Sequence, residues 1–249
     1  MFEALVNAFR APDIRRRILF ILGMLVIVRM LAHVPVPGVD RDALENLIGE
    51  NSFLQMMNLF SGGGLQNFSV IAMGVNPYIT SSIIMQLMTG VVPRLQQLSR
   101  EGEYGRQKIN AYTRRLTVPL AILQAFGYLE LLNSSDVISG FDITSFATLT
   151  QIITLTAGTI LVMWIGELIS ERGIGNGISF IIFAGIIASL PGAINTFRTS
   201  PDLAAGIAFG ALAIAAVAVI VYIQEGQRRI PSQYASRVRG RRMYQGGAT

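Results

Sequence analysis

Glu167 and Glu171 stand four residues apart beside Arg172, a spacing that puts both carboxylates on one helical face. Paired carboxylates suit general acid and base work, but they suit equally a solvated helix end, and that plainer reading is the stronger one. Arg29 is a charge about two-thirds of the way along an apolar run. It either snorkels to lipid headgroups or pairs within the protein. Gly173, Gly175 and Gly177 in "ERGIGNGIS" superficially resemble a phosphate loop. A dinucleotide fingerprint follows a strand, whereas these glycines follow an apolar helical run, so they are expected to end one helix and start the next in a tight turn. The 249 residues include no cysteine and one histidine, His33. Thiolate metal sites, disulfides and cysteine nucleophiles are thereby excluded, and no metal or cofactor is expected.

These residues sit in a chain that is 51% apolar and 14% charged, with a mean hydropathy of +0.50. So few polar side chains do not cover a water-soluble globule, and the protein reads as a membrane protein. Apolar windows of about 20 residues, the length that spans a bilayer core, fall at Ile18–Val36, Val70–Val92, Leu116–Leu132, Leu149–Ile169, Ile178–Phe197 and Leu203–Ile223. None alternates as a barrel strand does, so the fold class is an all-α integral membrane protein, a polytopic bundle with six transmembrane helices over 18–223. Residues 1–17 form an amphipathic, mixed-charge segment without the marks of a cleavable signal, so the first span is expected to stay in place. Assigning alternate loops to alternate sides puts all but three of the 20 Lys and Arg on one side; Arg41 and Arg198 fall opposite, and Arg29 lies inside the first span. The positive-inside rule then places both termini in the cytoplasm.

The stretch "LFSGGGLQNFSVIAMGVNPYITSSIIMQLM", Leu59 to Met88, is apolar enough to enter a membrane but is interrupted by Ser61, Gly62, Gly63, Gly64, Gln66, Asn67 and Ser69. Each glycine costs a helix roughly 1 kcal/mol relative to alanine, and the polar residues are costly against lipid. Leu59 to Met73 is therefore expected to be a short, broken half-helix folded back into a protein-lined, wet cavity. Gly74 and Pro77 break the chain, with Pro77 in the first turn of a spanning helix that starts near Asn76. Such a half-helix is either a movable element on a transport path or a fixed re-entrant cap. "VPVPG", Val34 to Gly38, is expected to end the first span.

Two basic stretches exceed a minimal turn: Arg94 to Arg115, and the segment 224–249 with Arg228, Arg229, Arg237, Arg239, Arg241 and Arg242 beside Tyr234 and Tyr244. Topology alone accounts for arginines on this side. As a docking surface they suit RNA phosphates, anionic lipid or an acidic protein.

Four separated motifs, "NLFSGGGLQNFSVIAMGVNPYITSSIIMQLM", "REGEYGRQKINAYTRR", "MWIGELISERGIGNGISFIIFAGII" and "EGQRRIPSQYASRVRGRRMY", stand in the order found in the SecY family, the channel subunit of the bacterial protein translocase, which this chain resembles from about Arg15 onward. The resemblance implies that the glycine-containing half-helix, with Ser61, Gly62, Gly63, Gly64, Leu65, Gln66, Asn67 and Phe68, is a plug that closes an hourglass channel and is displaced by a threading polypeptide. By motif match it implies a pore ring of aliphatic side chains at Val75, Ile79, Ile178 and Ile182. Each pair is four apart and so shares a helical face, and a narrow apolar collar seals by dewetting. Ordinary helix packing accounts for any such pair without the family match, and Val75, where a longer aliphatic is common, loosens the collar. A lateral gate toward lipid is implied at Thr80, Ile83 and Gln86. The basic loops, through Arg106, Lys108 and the arginines of the tail, are implied docking sites for the ribosome and for the SecA motor ATPase. Small membrane subunits of the SecE and SecG type, signal sequences and nascent polypeptides complete the implied partners, in the bacterial inner membrane.

The family has ten spans in two inverted halves, whereas six are read here, so the chain is expected to supply one wall of a pore. A membrane enzyme needs convergent titratable groups inside the bundle, and none are visible in the sequence. An ion-coupled transporter half, the alternative, usually needs intramembrane carboxylates, whereas Glu130 and Glu167 lie at span ends. A passive conduit driven by a partner needs only a wet path, a seal and a gate, and fits best.

Overall fold

The computed structural model describes residues 11–135, 137–138, 142, 145–199, 203–227, 237–239 and 242–244. Among them the helices are α1 (Pro12–Leu31), α2 (Arg41–Glu50), α3 (Ser52–Phe60), α4 (Asn76–Val91), α5 (Pro93–Arg100), α6 (Glu103–Ser134), α7 (Phe146–Arg172), α8 (Gly177–Thr199) and α9 (Leu203–Gln224), followed by strands β1 (Arg237–Arg239) and β2 (Arg242–Tyr244). Each of the six apolar windows holds one helix: α1, α4, α6, α7, α8 and α9. Two starts lie ahead of their windows. α1 begins at Pro12, inside the amphipathic segment 1–17, of which residues 1–10 lie outside the described residues, and α6 begins at Glu103 rather than Leu116, so most of the basic stretch Arg94 to Arg115 is helical. α4 begins at Asn76 as expected, with Pro77 in the first helical turn and Gly74 at a φ of 54° just before it.

Among the described residues α6 and α7 are long and apolar enough by themselves to cross a membrane, and Gly177–Gly192 and Gly210–Gln224 are apolar over shorter lengths. α1 carries Arg15, Arg16, Arg17 and Arg29. α4 has 16 residues, about 24 Å of helix against a hydrocarbon core of about 30 Å.

The chain divides into two compact units, Met1–Ala193 and Ile194–Thr249. In the first, α7 is the central post. It packs on α1 and α6, and α4 packs on α6 and more lightly on α7. Its buried residues, among them Gln151, Leu155, Gly158, Thr159, Val162 and Ile169, recur at three- and four-residue steps and so share one side, while the exposed side with Leu149, Ile153, Leu161 and Trp164 is apolar as well, which is why the helix shows no amphipathic stripe. α6 instead offers one narrow stripe of Thr113, Thr117, Ala121, Ala125 and Leu129, each four residues on from the last and each buried. Small side chains there let α4 approach closely, and the buried Ser81 hydroxyl donates to the Thr113 carbonyl at 2.7 Å.

Two apolar clusters result. One gathers Val36, Leu44, Leu54, Phe68, Leu129 and Leu155. The other gathers Val28, Ile71, Val75, Val162, Ile165 and Ile181. The "VPVPG" stretch ends the first helix as expected and then pairs with the later turns: Val36 N–H donates to Phe68 at 2.8 Å and Val70 N–H to Val34 at 3.0 Å, around a bridge between Pro35 and Ser69. Gln151 of α7 fastens the stretch by donating to the Pro37 carbonyl at 2.9 Å. At the other end the glycine turn joins α7 to α8 as expected. The Gly177 N–H donates to the Ser170 hydroxyl at 2.8 Å, and the Asn176 side chain accepts from Ile178 N–H at 3.0 Å as an N-cap. Arg17 donates to the Gly173 carbonyl at 3.1 Å, so the start of α1 and this turn share one end of the unit.

In the second unit α9 is a continuous apolar helix from Leu203 to Tyr222, as a lipid-surrounded helix requires. β1 and β2 are antiparallel, with Arg237 opposite Tyr244 and Arg239 opposite Arg242.

A side chain at Gly158 would place its Cβ 1.9 Å from the Val70 carbonyl oxygen, whereas one at Gly127 meets nothing within 4 Å. Gly158→Ala is therefore expected to lower stability by about 2 kcal/mol, and Gly127→Ala to leave it unchanged or raise it. Thermal unfolding of the complete protein in detergent compares the two.

Candidate functional site

Ser61 to Val75 is where the structure departs most from expectation. The half-helix expected over Leu59 to Met73 is absent: α3 ends at Phe60, and the chain continues as turns up to Asn76. Gly62 (φ 66°), Gly63 (φ 83°) and Gly74 (φ 54°) adopt left-handed conformations that end helical propagation, and Phe68 (φ 41°) joins them at the cost of backbone strain. The peptide groups find local partners instead. Gly63 N–H donates to Asn58 at 2.9 Å and Ser69 N–H to Gly64 at 2.9 Å, while the Leu65 and Gln66 amides donate to the Ser61 hydroxyl and the Asn58 side-chain oxygen at 3.1 and 2.9 Å. Nor is the surrounding wet. Leu65, Phe68, Ile71 and Met73 are almost fully buried, and of residues 61–75 Gln66 alone is exposed.

Arg29 pairs within the protein rather than snorkelling. Its guanidinium donates to the Gly62 carbonyl. Gly62 also meets α8: a Cβ on Gly62 would lie 2.8 Å from Gly185 Cα. Arg29, Gly62, Gly185 and Val75 border a cavity of about 20 Å³.

The four residues assigned to a collar fall into one apolar cluster. Val75 is buried and is the residue immediately before α4, and Ile79, whose N–H donates to the Val75 carbonyl at 3.0 Å, stands one turn on. Ile178 and Ile182 pack against the same cluster from α8. Phe68, by contrast, lies in the other cluster. Ile79 and Ile178 also line a cavity of about 920 Å³, together with Ile83 and the polar or charged Ser82, Asn110, Glu103, Arg114, Glu167 and Glu171. Across it Arg114 and Glu167 form an ion pair at 3.1 Å, with the Glu167 side chain only 19% exposed. The solvated helix end expected for Glu167 is thereby corrected: α6 brings a guanidinium to it. Glu171 borders the same cavity and is exposed.

Of the residues assigned to a lateral gate, Thr80 is half-buried and donates to the Asn76 carbonyl at 3.0 Å, whereas Ile83 and Gln86 are exposed on α4. Arg106 and Lys108 are exposed on the first turns of α6. Lys108 lies 4.3 Å above the Tyr104 ring, and its hydrogen bond with Tyr104 raises its pKa above the ordinary lysine value. Arg228, Arg229 and Arg241 lie outside the described residues, while Arg237, Arg239 and Arg242 are held on the two short strands. Sequence reasoning missed the Gly62–Gly185 and Gly158–Val70 approaches and the Arg114–Glu167 pair. The only advance signal was a small or charged residue inside an apolar helix.

A helical membrane bundle is thus defined, with a polar vestibule that ends on an apolar cluster and a non-helical segment buried beyond it. Residues 69–249 match the SecY family. The chain is 44% identical to the protein translocase subunit SecY of Streptomyces scabiei and 43% identical to that of Streptomyces coelicolor, in each case over 100% of this chain and 61% of the relative. It is 41% identical to that of Corynebacterium glutamicum, over 99% of this chain and 59% of the relative. The chain belongs to the SecY family, and it spans about three-fifths of the length of these curated relatives.

In the cysteine-free chain, a single cysteine at Ser82 in the vestibule is expected to react readily with a membrane-impermeant maleimide, and one at Val75 to resist it until the protein is denatured. Equal labelling at both positions in native membranes would contradict the burial of Val75.

Proposed function

We propose that this chain supplies one wall of a protein-conducting channel in the bacterial inner membrane, through which unfolded secretory polypeptides pass and from which hydrophobic segments leave sideways into lipid. The observation that carries this reading is the succession of a polar vestibule, the cluster of Val75, Ile79, Ile178 and Ile182, and the buried turns of Ser61 to Val75. The vestibule hydrates an entering chain, and the collar blocks ions by dewetting. The turns are a plug, held partly by bonds within the segment and partly by the bridges to Val34 and Val36, and able to leave as a unit once those bridges part.

Six helices cross the membrane, with the N-terminus in the cytoplasm, where the arginines gather. α4 offers Thr80, Ile83 and Gln86 to a lateral gate completed by the rest of the longer protein. Small subunits of the SecE and SecG type brace the bundle. The ribosome and the SecA motor ATPase dock on Arg106, Lys108 and the arginine-rich tail, which also faces anionic lipid. The driving energy is the partner's; the chain itself is a conduit and not an enzyme. The name borne by the relatives, protein translocase subunit, favours this over an ion-coupled transporter.

The complete protein in sealed vesicles, given motor ATPase and ATP, is expected to carry a secretory precursor to a protease-protected interior. Protection that never exceeds that of empty vesicles, together with a proton-coupled solute uptake lost in Glu167→Gln, would replace the channel by the transporter. Ile79→Ser and Ile178→Ser are each expected to raise resting ion flux by wetting the collar, with precursor transport retained. Reversing Arg237, Arg239 and Arg242 to Glu is expected to weaken docking of the motor or ribosome and to flatten its salt dependence, measured as binding against ionic strength.

A further inference from the structure

We propose that Arg29 and Gly185 clasp Gly62 from opposite sides and hold the Ser61–Val75 segment in its closed seat, Arg29 being a positioning residue of the gate. The inference rests on the channel reading and adds to it the contact that keeps the path shut.

The clasp has a polar jaw and a steric one. On the α1 side the guanidinium donates to the Gly62 carbonyl. Among the described residues no carboxylate lies within ion-pair distance of Arg29, so the carbonyl is what compensates this half-buried charge. A charge-assisted bond in such surroundings is stronger than a bond between neutral groups. On the α8 side Gly185 follows Ile182 by three residues and Ile178 by seven, so the helix face that carries the two collar isoleucines continues into a glycine. That glycine leaves room for backbone and nothing more: a Cβ on Gly185 would lie 3.0 Å from Gly62 Cα.

Gly62 is shaped for this place. Its φ of 66° lies in the left-handed region that suits glycine, and a Cβ there would approach both Gly185 Cα at 2.8 Å and Arg29 Nη1 at 3.0 Å. The remaining space, about 20 Å³, holds about one water molecule. No larger group shares the seat. Gly62 adjoins the first buried turn of the segment, and Val75, at its far end, is in the collar cluster. A contact fixed at Gly62 therefore bears on the whole run of turns between it and the seal.

The test uses the complete protein with its membrane subunits in sealed vesicles and reads resting chloride efflux without substrate. Loss of one charge-assisted hydrogen bond shifts a closed-to-open ratio by about tenfold or more. Arg29→Met is expected to raise efflux by that order, Arg29→Lys to restore part of the closure, and Gly185→Ala to raise efflux by pushing Gly62 away. The double variant Arg29→Met with Gly185→Ala is expected to fall short of the product of the single effects, since both act on one contact. As a second readout, cysteines at Ser61 and Ala184, which border the same small cavity, are expected to form a disulfide at rest and to do so more slowly beside Arg29→Met. Arg29→Met protein with wild-type efflux and undiminished crosslinking would overturn the clasp. Failure of the channel reading looks different: the wild type moves no polypeptide and Ile79→Ser changes no ion flux, while the crosslink still reports on the contact.

Discussion

A peptide group that leaves helical geometry inside a membrane protein must find its hydrogen bond from another source, because lipid offers none. The turns from Ser61 to Val75 place this demand at the centre of the bundle, and the surrounding structure answers it. The proline-broken stretch after α1 lends Val34 and Val36 as bridge partners, and Gln151 secures that stretch to α7. Asn58 and Ser61 turn their side chains back onto the first amides of the segment. Arg29 takes the Gly62 carbonyl. These helices are arranged around backbone that does not satisfy itself, which is why removing the segment leaves more than a hole.

The fit is close but not optimal. Glycines stand where backbone meets backbone: Gly158 under the Val70 carbonyl, Gly177 against Gly166, Gly62 against Gly185. Such contacts give shape specificity with little buried apolar area, and so with little hydrophobic stabilisation. Among the described residues the hydroxyls of Ser69, Thr156 and Thr159 are buried with no hydrogen-bond partner, one of them in the segment and two on either side of Gly158, and each costs about 1–3 kcal/mol. Leu65, Phe68 and Met73 oppose this through burial in the first cluster. The balance is a segment that is well defined and yet not deeply stabilised, as the proposed plug role requires.

What was legible in the sequence follows from which physics is local. Twenty apolar residues mean a helix in lipid whatever they touch, so all six windows held helices. Pro77 marks the start of α4, and the glycines of "ERGIGNGIS" mark a turn, because their backbone preferences act within a few residues. The turns of Ser61 to Val75 were legible as an interruption but not as a shape. Glycine-rich sequence says that a helix is costly without saying what replaces it, and here the replacement depends on Val34, Asn58 and Arg29. The Arg114–Glu167 pair is of the same kind, since two charges 53 residues apart meet only once α6 and α7 have packed. The motif match gave the proposed collar positions, and the structure gathers them into one cluster.

A seal built this way separates two requirements that pull against each other. A channel for polypeptides must accept nearly any side chain, so its closing contacts cannot depend on the cargo. Here the contacts argued to close it are backbone contacts within the chain: a guanidinium on a carbonyl and a glycine on a glycine. Nothing in them resembles a side-chain recognition pocket, and the vestibule walls carry a mixture of amide, hydroxyl, acid and base with no single sign of charge. In the proposed channel, selectivity then enters by other routes, through the lateral face of α4 or through a partner on the basic loops. A pore of the proposed kind need only be wet on one side, dry at its collar and closed by something that costs little to move.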